Sequence, residues 1–309
     1  MISCNDTVKS DPLAEKAMSE LRTVLRDQSQ FIKVHAAEYL IWLGNAEEVK
    51  KVYLSEDSLH SSESPYRIGI WRVLAESEAN DADKMKWINK IFDVYGDPKA
   101  PDRLHASETL AKLQQSPLAK YPELTLETLA SENRNLGTYA RWAISYSSDS
   151  AMKENRSEFL RLAAEDSNQI IRKISAFVLR KISGLNTDEW TSLANKALAE
   201  PVTTGMRYSL LNTAFVTRPG HEENKVQYEN VHKEMLVNNQ QFSAGERMEL
   251  ALALADKGTA DDLPVLTAML NNENSKGFYE IDSKEGADVR ATAAYAILKI
   301  KQRVEPASK

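Results

Sequence analysis

One cysteine, eleven glycines and ten prolines stand in 309 residues, and each scarcity removes a class of protein. A single thiol forms no intramolecular disulfide and no cysteine-rich zinc cluster. Sparse, scattered glycine leaves no phosphate-cradling loop and no Gly-x-Ser-x-Gly elbow. The five histidines form no His-Glu-x-x-His pair. His221-Glu222-Glu223 begins that motif, but Lys225 stands where the second ligand belongs. Metal and nucleophilic catalysis therefore have little material, and neither a metal nor another cofactor is expected. No apolar run reaches the roughly 18 residues of a membrane-spanning helix. There is no long Lys/Arg block and the formal charge is −6, so a nucleic-acid partner is not expected. Strand-like alternation is almost absent, which leaves helices.

What the chain does have is self-similarity. Lys33-Val34-His35-Ala36-Ala37-Glu38-Tyr39-Leu40 and Arg103-Leu104-His105-Ala106-Ser107-Glu108-Thr109-Leu110 are nearly the same word. Fainter copies begin at Arg67, Gly137, Arg172, Arg207, Arg247 and Arg290. The third position after each start is apolar or small (Ala36, Ile70, Ala106, Ala140, Ser175, Leu210, Leu250, Ala293). The seventh is apolar throughout (Leu40, Leu74, Leu110, Ile144, Leu179, Ala214, Leu254, Ile297). Offsets of 0, 3 and 7 mark one face of a helix.

A second amphipathic stretch precedes each such helix, as in Met85, Ile88, Ile91 and Phe92. Boundary chemistry marks the joints: Asp11-Pro12, Asp97-Pro98, Ser116-Pro117, Thr259 with Asp262, and Ser243 with Glu246. A helix pair of about 35 residues cannot bury its own apolar face, so neighbours must stack. The predicted fold is all-α, with residues 11–309 forming one array of about eight two-helix repeats.

Val289-Arg290-Ala291-Thr292-Ala293-Ala294-Tyr295-Ala296-Ile297-Leu298 resembles the second helix of a HEAT repeat, and Ile171-Arg172 and Ile32-Lys33 follow the same pattern. The resemblance covers residues 12–303 and implies an armadillo-like α-solenoid, a right-handed α-α superhelix with an open concave face. Its arginine is expected to meet an acid or a helix C-terminus at the inter-repeat joint. Gly137 lacks that side chain, so the fourth repeat is expected to stack differently. About function the resemblance implies only a surface for partners.

Residues 1–10 read as a tether. Met1-Ile2-Ser3-Cys4-Asn5-Asp6 resembles the end of a bacterial lipoprotein signal, which implies lipidation at Cys4 and a place in the bacterial cell envelope; a cytoplasmic protein with an incidental exposed cysteine is the alternative.

Counting from the basic position, offsets 2, 5 and 9 lie on one stripe of each second helix. In the first four repeats that stripe carries His35, Glu38 and Trp42; Gly69, Arg72 and Glu76; His105, Glu108 and Lys112; and Tyr139, Trp142 and Tyr146. Gly69 apart, these are the candidate binding residues, since acids, bases and aromatics on a concave face suit a polar ligand or peptide. Packing is the competing role for the tryptophans and histidines. Gly69 is expected to leave room for a pocket. In the fifth repeat Ile174, Phe177 and Lys181 make a less distinctive set, and Glu249, Leu252 and Asp256 do so in the seventh. His35 and His105, two repeats apart, are expected roughly 20 Å from each other, too far to share a metal.

Two insertions lengthen the later joints. Arg218 to Asn224 contains Pro219-Gly220, and Asn271 to Asp288 is predicted as a long loop with Phe278, Tyr279 and Ile281, either functional or a tolerated insertion. The function expected is a non-catalytic scaffold that holds a protein partner or a glycan. A glycan-active enzyme, a helical toroid of the glycosidase or lyase type using carboxylates such as Glu38 and Glu108, and a regulatory adaptor are the alternatives. Regular steps of about 35 residues favour an open superhelix over a closed toroid. An open array separates Glu38 from Glu108 too widely for the paired carboxylates of a glycosidase.

Overall fold

In the computed structural model the described residues are 11–220, 224–237, 243–272 and 283–304. Cys4, His221-Glu222-Glu223 and the apolar group Phe278, Tyr279 and Ile281 lie outside them. The chain is all-α, and among the described residues there is no strand. Its helices alternate: α1 (Pro12–Asp27) with α2 (Gln30–Trp42), α3 (Ala46–His60) with α4 (Tyr66–Ser77), α5 (Asp81–Gly96) with α6 (Arg103–Lys112), and α7 (Pro122–Leu129) with α8 (Arg134–Ser145). The series continues with α9 (Asp149–Glu165) and α10 (Gln169–Ile182), α11 (Thr187–Ala199) and α12 (Gly205–Thr217), α13 (Lys225–Leu236) and α14 (Ala244–Lys257), and α15 (Leu263–Leu270) and α16 (Lys284–Val304). Lys33, Arg67, Arg103, Gly137, Arg172, Arg207, Arg247 and Arg290 fall one to each even-numbered helix.

Capping chemistry sets several helix starts. Asp11 accepts from the amides of Leu13 and Ala14 at the head of α1, and Ser243 with Glu246 forms a capping box on α14. Helix α16 begins at Lys284, so the predicted loop to Asp288 is shorter at its C-terminal end. Ser283 caps that first turn, its hydroxyl accepting from Gly286 N at 3.0 Å.

Three of the basic positions fasten an even-numbered helix to the helix before it. Arg103 Nε donates to Tyr95 O at 2.9 Å and Arg172 Nε to Ala163 O at 2.9 Å, each reaching the C-terminal turn of the preceding helix. Arg207 donates to the carbonyls of Ala197, Leu198 and Glu200 at the end of α11. Cationic guanidinium thus meets the negative end of a helix dipole. Arg67 instead pairs with Asp102 at 2.7 Å. At Gly137 the backbones come close, because a Cβ there would lie 3.2 Å from Thr128 O and 3.3 Å from Leu129 O. The partner α7 is correspondingly short, eight residues.

The even-numbered helices pack in sequence, α2 on α4, α4 on α6 and so on to α14 on α16. The sequence expectation of an open array is corrected here: α16 also packs on α1 and α2, so the inner helices close into a ring. The contacts at the closure keep one register. His35 meets Asp288, and Tyr39 Oη lies 3.0 Å from Thr292 Oγ1. The Tyr39 and Tyr295 rings stack at 4.8 Å. An advancing register of this kind requires α2 and α16 to run in the same direction. Arg290 with Glu20, and Lys301 with Asp11, tie α16 to α1 and to its cap. The offsets 0, 3 and 7 do not show this, because the polar residues that close the ring look like ordinary solvated positions on two distant helices.

Candidate functional site

Closure turns the concave face into a cavity of about 220 Å³ that stays open to solvent on one side. Its position follows from the 2, 5 and 9 stripe, which in a ring points to the centre rather than along an open groove. His35, Glu38, Trp42, Glu76, Lys112, Trp142 and Tyr146 line it. Arg72, His105 and Glu108 line a neighbouring cavity of about 220 Å³ that shares His35 and Lys112 with the first. Ten of the eleven candidate residues therefore stand around two adjoining spaces, and only half-buried Tyr139 stands at neither.

Their roles differ. Glu38 and Arg72 are buried and hydrogen-bonded to each other, and Arg72 Nη1 donates to Thr109 Oγ1 at 3.2 Å. This pair joins α2, α4 and α6. Burial alone would raise the Glu38 carboxyl, but Arg72, Lys112 and His35 outweigh it and hold the carboxyl below its ordinary range. Glu108 is held down in the same way, burial opposed by Lys112 at 2.7 Å and by Arg72. The expected 20 Å spacing across two repeats does not survive. Inward curvature brings His35 and His105 to the walls of one cavity, and Glu38, Glu76 and Glu108 all act on the Arg72 guanidinium. His105 stacks on Phe31 at 5.7 Å.

Glu76 is the exception among the acids. Its Oε2 is buried with no hydrogen-bond partner among the described residues, while Trp42 donates to the carboxylate. Desolvation, then repulsion from Glu38, pushes it up to about 7. A carboxyl that gains or loses its proton near neutrality thus sits beside two that stay ionised, the arrangement from which acid and base roles can diverge.

The tryptophans divide as well. Trp142 is 1 % exposed and donates from Nε1 to Tyr146 Oη at 3.1 Å, a packing role that still offers an edge to the cavity. Trp42 is 42 % exposed and rests edge-on against Tyr39 and Tyr295. Gly69 is a correction. It lines neither cavity, and a Cβ there would sit 2.8 Å from Val34 Cγ2, so the glycine lets α4 approach α2.

Tyr39, Phe177, Lys181 and Leu252 also line the first cavity and were absent from the candidate set. Three of them, Phe177, Lys181 and Leu252, were visible at stripe offsets in the fifth and seventh repeats. Their weight was hidden because an open array would hold α10 and α14 far from α2. Lys181 keeps solvent contact through the cavity mouth, and its ammonium lies 5.5 Å from the Phe177 ring centre. The enclosing protein desolvates it and holds it below the usual lysine range, with Asp256 opposing at longer reach.

Among the described residues no three His, Cys, Asp or Glu side chains are grouped to hold a metal ion, and no helix is long and apolar enough to cross a membrane. Comparison with protein-family models, with curated proteins and with solved structures found no match to this chain.

Proposed function

We propose that the protein is a non-catalytic binding module, a HEAT-like α-solenoid of eight two-helix repeats closed on itself, which holds a glycan in the cavity of its inner helices. The observation that carries this reading is the mixed wall: an exposed Trp42 face, the Tyr146 and Phe177 rings, the unpartnered Glu76 oxygen and the Lys181 ammonium in one space. Sugars present an apolar C–H face and hydroxyl donors together, and such a wall serves both. At about 220 Å³ the cavity admits a small ligand or a chain end rather than a folded protein. A protein partner would have to use the rims or the outer layer. Lipidation at Cys4 and attachment to a bacterial envelope belong to this reading, since an extracellular glycan would be met there; Cys4→Ser should release the protein from the membrane fraction. Titration of an oligosaccharide panel against wild type and Trp42→Ala tests the site. Binding that Trp42→Ala weakens at unchanged melting temperature supports it, and absence of binding across the panel overturns it.

A second reading is favoured by one observation, the Glu76 carboxyl poised near neutrality beside ionised Glu38 and Glu108. In that reading the ring is a glycan-active enzyme with Glu76 as general acid. The separation that argued against paired carboxylates belonged to an open array. Against it stands the commitment of Glu38 to Arg72, which removes one candidate base. New reducing ends or unsaturated products, lost in Glu76→Gln, would establish catalysis; intact glycan after prolonged incubation would leave binding alone.

A further inference from the structure

The charges around the cavity are not evenly paired. His35 Nδ1 is taken by Asp288 at 2.9 Å and Lys112 by Glu108 at 2.7 Å. Lys181 has neither a hydrogen bond nor an ion pair among the described residues, only the Phe177 ring beside it. Its ammonium is exposed at the cavity mouth with no anion at contact distance, so a ligand that brings a negative group pairs with it without first displacing a protein partner. The Glu76 oxygen without a partner poses the opposite demand, because it lacks a donor. A ligand hydroxyl supplies one. The aromatic walls ask for a flat apolar face between such groups.

We infer that the cavity selects an acidic sugar of the hexuronic type, with its carboxylate on Lys181, a ring hydroxyl donating to Glu76 and its C–H face against Trp42. This rests on the glycan-binding reading above and specifies the sugar. A carboxylate suits the site better than a phosphate. One ammonium balances one negative charge, whereas a second would face Glu38, Glu76 and Glu108, all on the walls of the two adjoining spaces. The neutral sugar satisfies Glu76 and the aromatics but leaves Lys181 as it was.

The test is calorimetric titration of three matched oligosaccharides that differ only at the terminal residue: glucuronate, glucose and glucose 6-phosphate. Wild type should prefer the glucuronate form about tenfold over the glucose form, the worth of one charge-assisted hydrogen bond. That preference should shrink as salt is raised. Lys181→Met should abolish the preference, and Lys181→Arg should retain most of it. Melting curves of both variants verify that the fold is intact. Equal affinity for the glucuronate and glucose forms, or a preference that survives Lys181→Met, overturns the acidic-sugar assignment while leaving glycan binding in place. Tightest binding of the phosphate form also overturns it. Failure of all three to bind sinks the glycan reading itself.

Discussion

His35 Nδ1 lies 2.9 Å from Asp288 Oδ1 across 253 residues of chain, and this contact belongs to the seam that makes a row of helices into a ring. An open helical array spreads its stability over nearest-neighbour interfaces and frays from both ends. Closure adds an interface between the two ends, so α1, α2 and α16 should open together rather than separately. The pair is partly exposed, which limits its worth to about 1–2 kcal/mol. Asp288→Ala should therefore lower the melting temperature by a few degrees and, more tellingly, speed amide exchange in α1, α2 and α16 alike. Faster exchange confined to α16 would show that the seam does not couple the ends.

Much of this was legible in the sequence because it is local. The offsets 0, 3 and 7 depend only on helix geometry, and Lys33, Arg67, Arg103, Arg172, Arg207, Arg247 and Arg290 each fall in the helix that their spacing marked. Caps such as Asp11 and Ser243 act over three residues and are equally local. Closure is different. It depends on a small curvature added at every joint, and no single joint carries a residue that announces the sum. The candidate site suffered accordingly: the stripe in the first four repeats pointed at the cavity, while Phe177 and Lys181 on the facing wall looked ordinary until α10 was brought round. Gly69 was misread for a related reason, since a missing side chain can mean either space or closeness, and only the neighbouring Val34 decides which.

Arg72 should be the most sensitive position of the inner ring. Removing its side chain leaves Glu38 buried and unpaired, a loss of about 3–5 kcal/mol. Arg72→Ala should therefore unfold far more readily than Arg72→Met combined with Glu38→Gln, in which no buried charge is stranded. The pH dependence follows from the depressed Glu38 carboxyl. Its contribution is present above the unfolded carboxyl value and is lost as pH falls through the lower folded value. In Arg72→Ala that sign should reverse, with stability improving toward acid. Denaturant titrations at several pH values measure it, and equal stability of the two variants would show that the pair is not the buried unit described.

Gly69→Ala sets helix propensity against packing. Alanine gains about 1 kcal/mol in a helix interior, but its Cβ would press on Val34 Cγ2 at 2.8 Å and Phe31 Cε1 at 3.4 Å. Val34 is β-branched and fully buried, so it has little freedom to yield. Overpacking of this kind costs about 1–3 kcal/mol. Net destabilisation is expected in chemical denaturation, and a stabilised variant would mean that α2 shifts freely against α4.

Glu76 should make the protein's stability fall as pH rises from the free-carboxyl range to about 7 and level off above it. Its carboxyl stands at about 7 in the folded ring against 4.5 for the free group, so folding favours the protonated form. Below the unfolded value both states bind the proton and nothing is lost. As pH rises through the folded value, the ring must ionise a desolvated carboxyl whose Oε2 has no donor among the described residues, and stability declines. Glu76→Gln keeps an acceptor for Trp42 without the titration. The two proteins should melt alike at about pH 4, below the unfolded value, while at about pH 8 the variant should be more stable by up to about 3 kcal/mol. Lys181 and Lys112 lie on the same cavity wall, so an added anionic ligand could shift this crossover; the comparison is therefore made without ligand. A difference that stays constant from acid to alkaline pH would remove Glu76 as a titrating group, and with it the acid-catalyst reading.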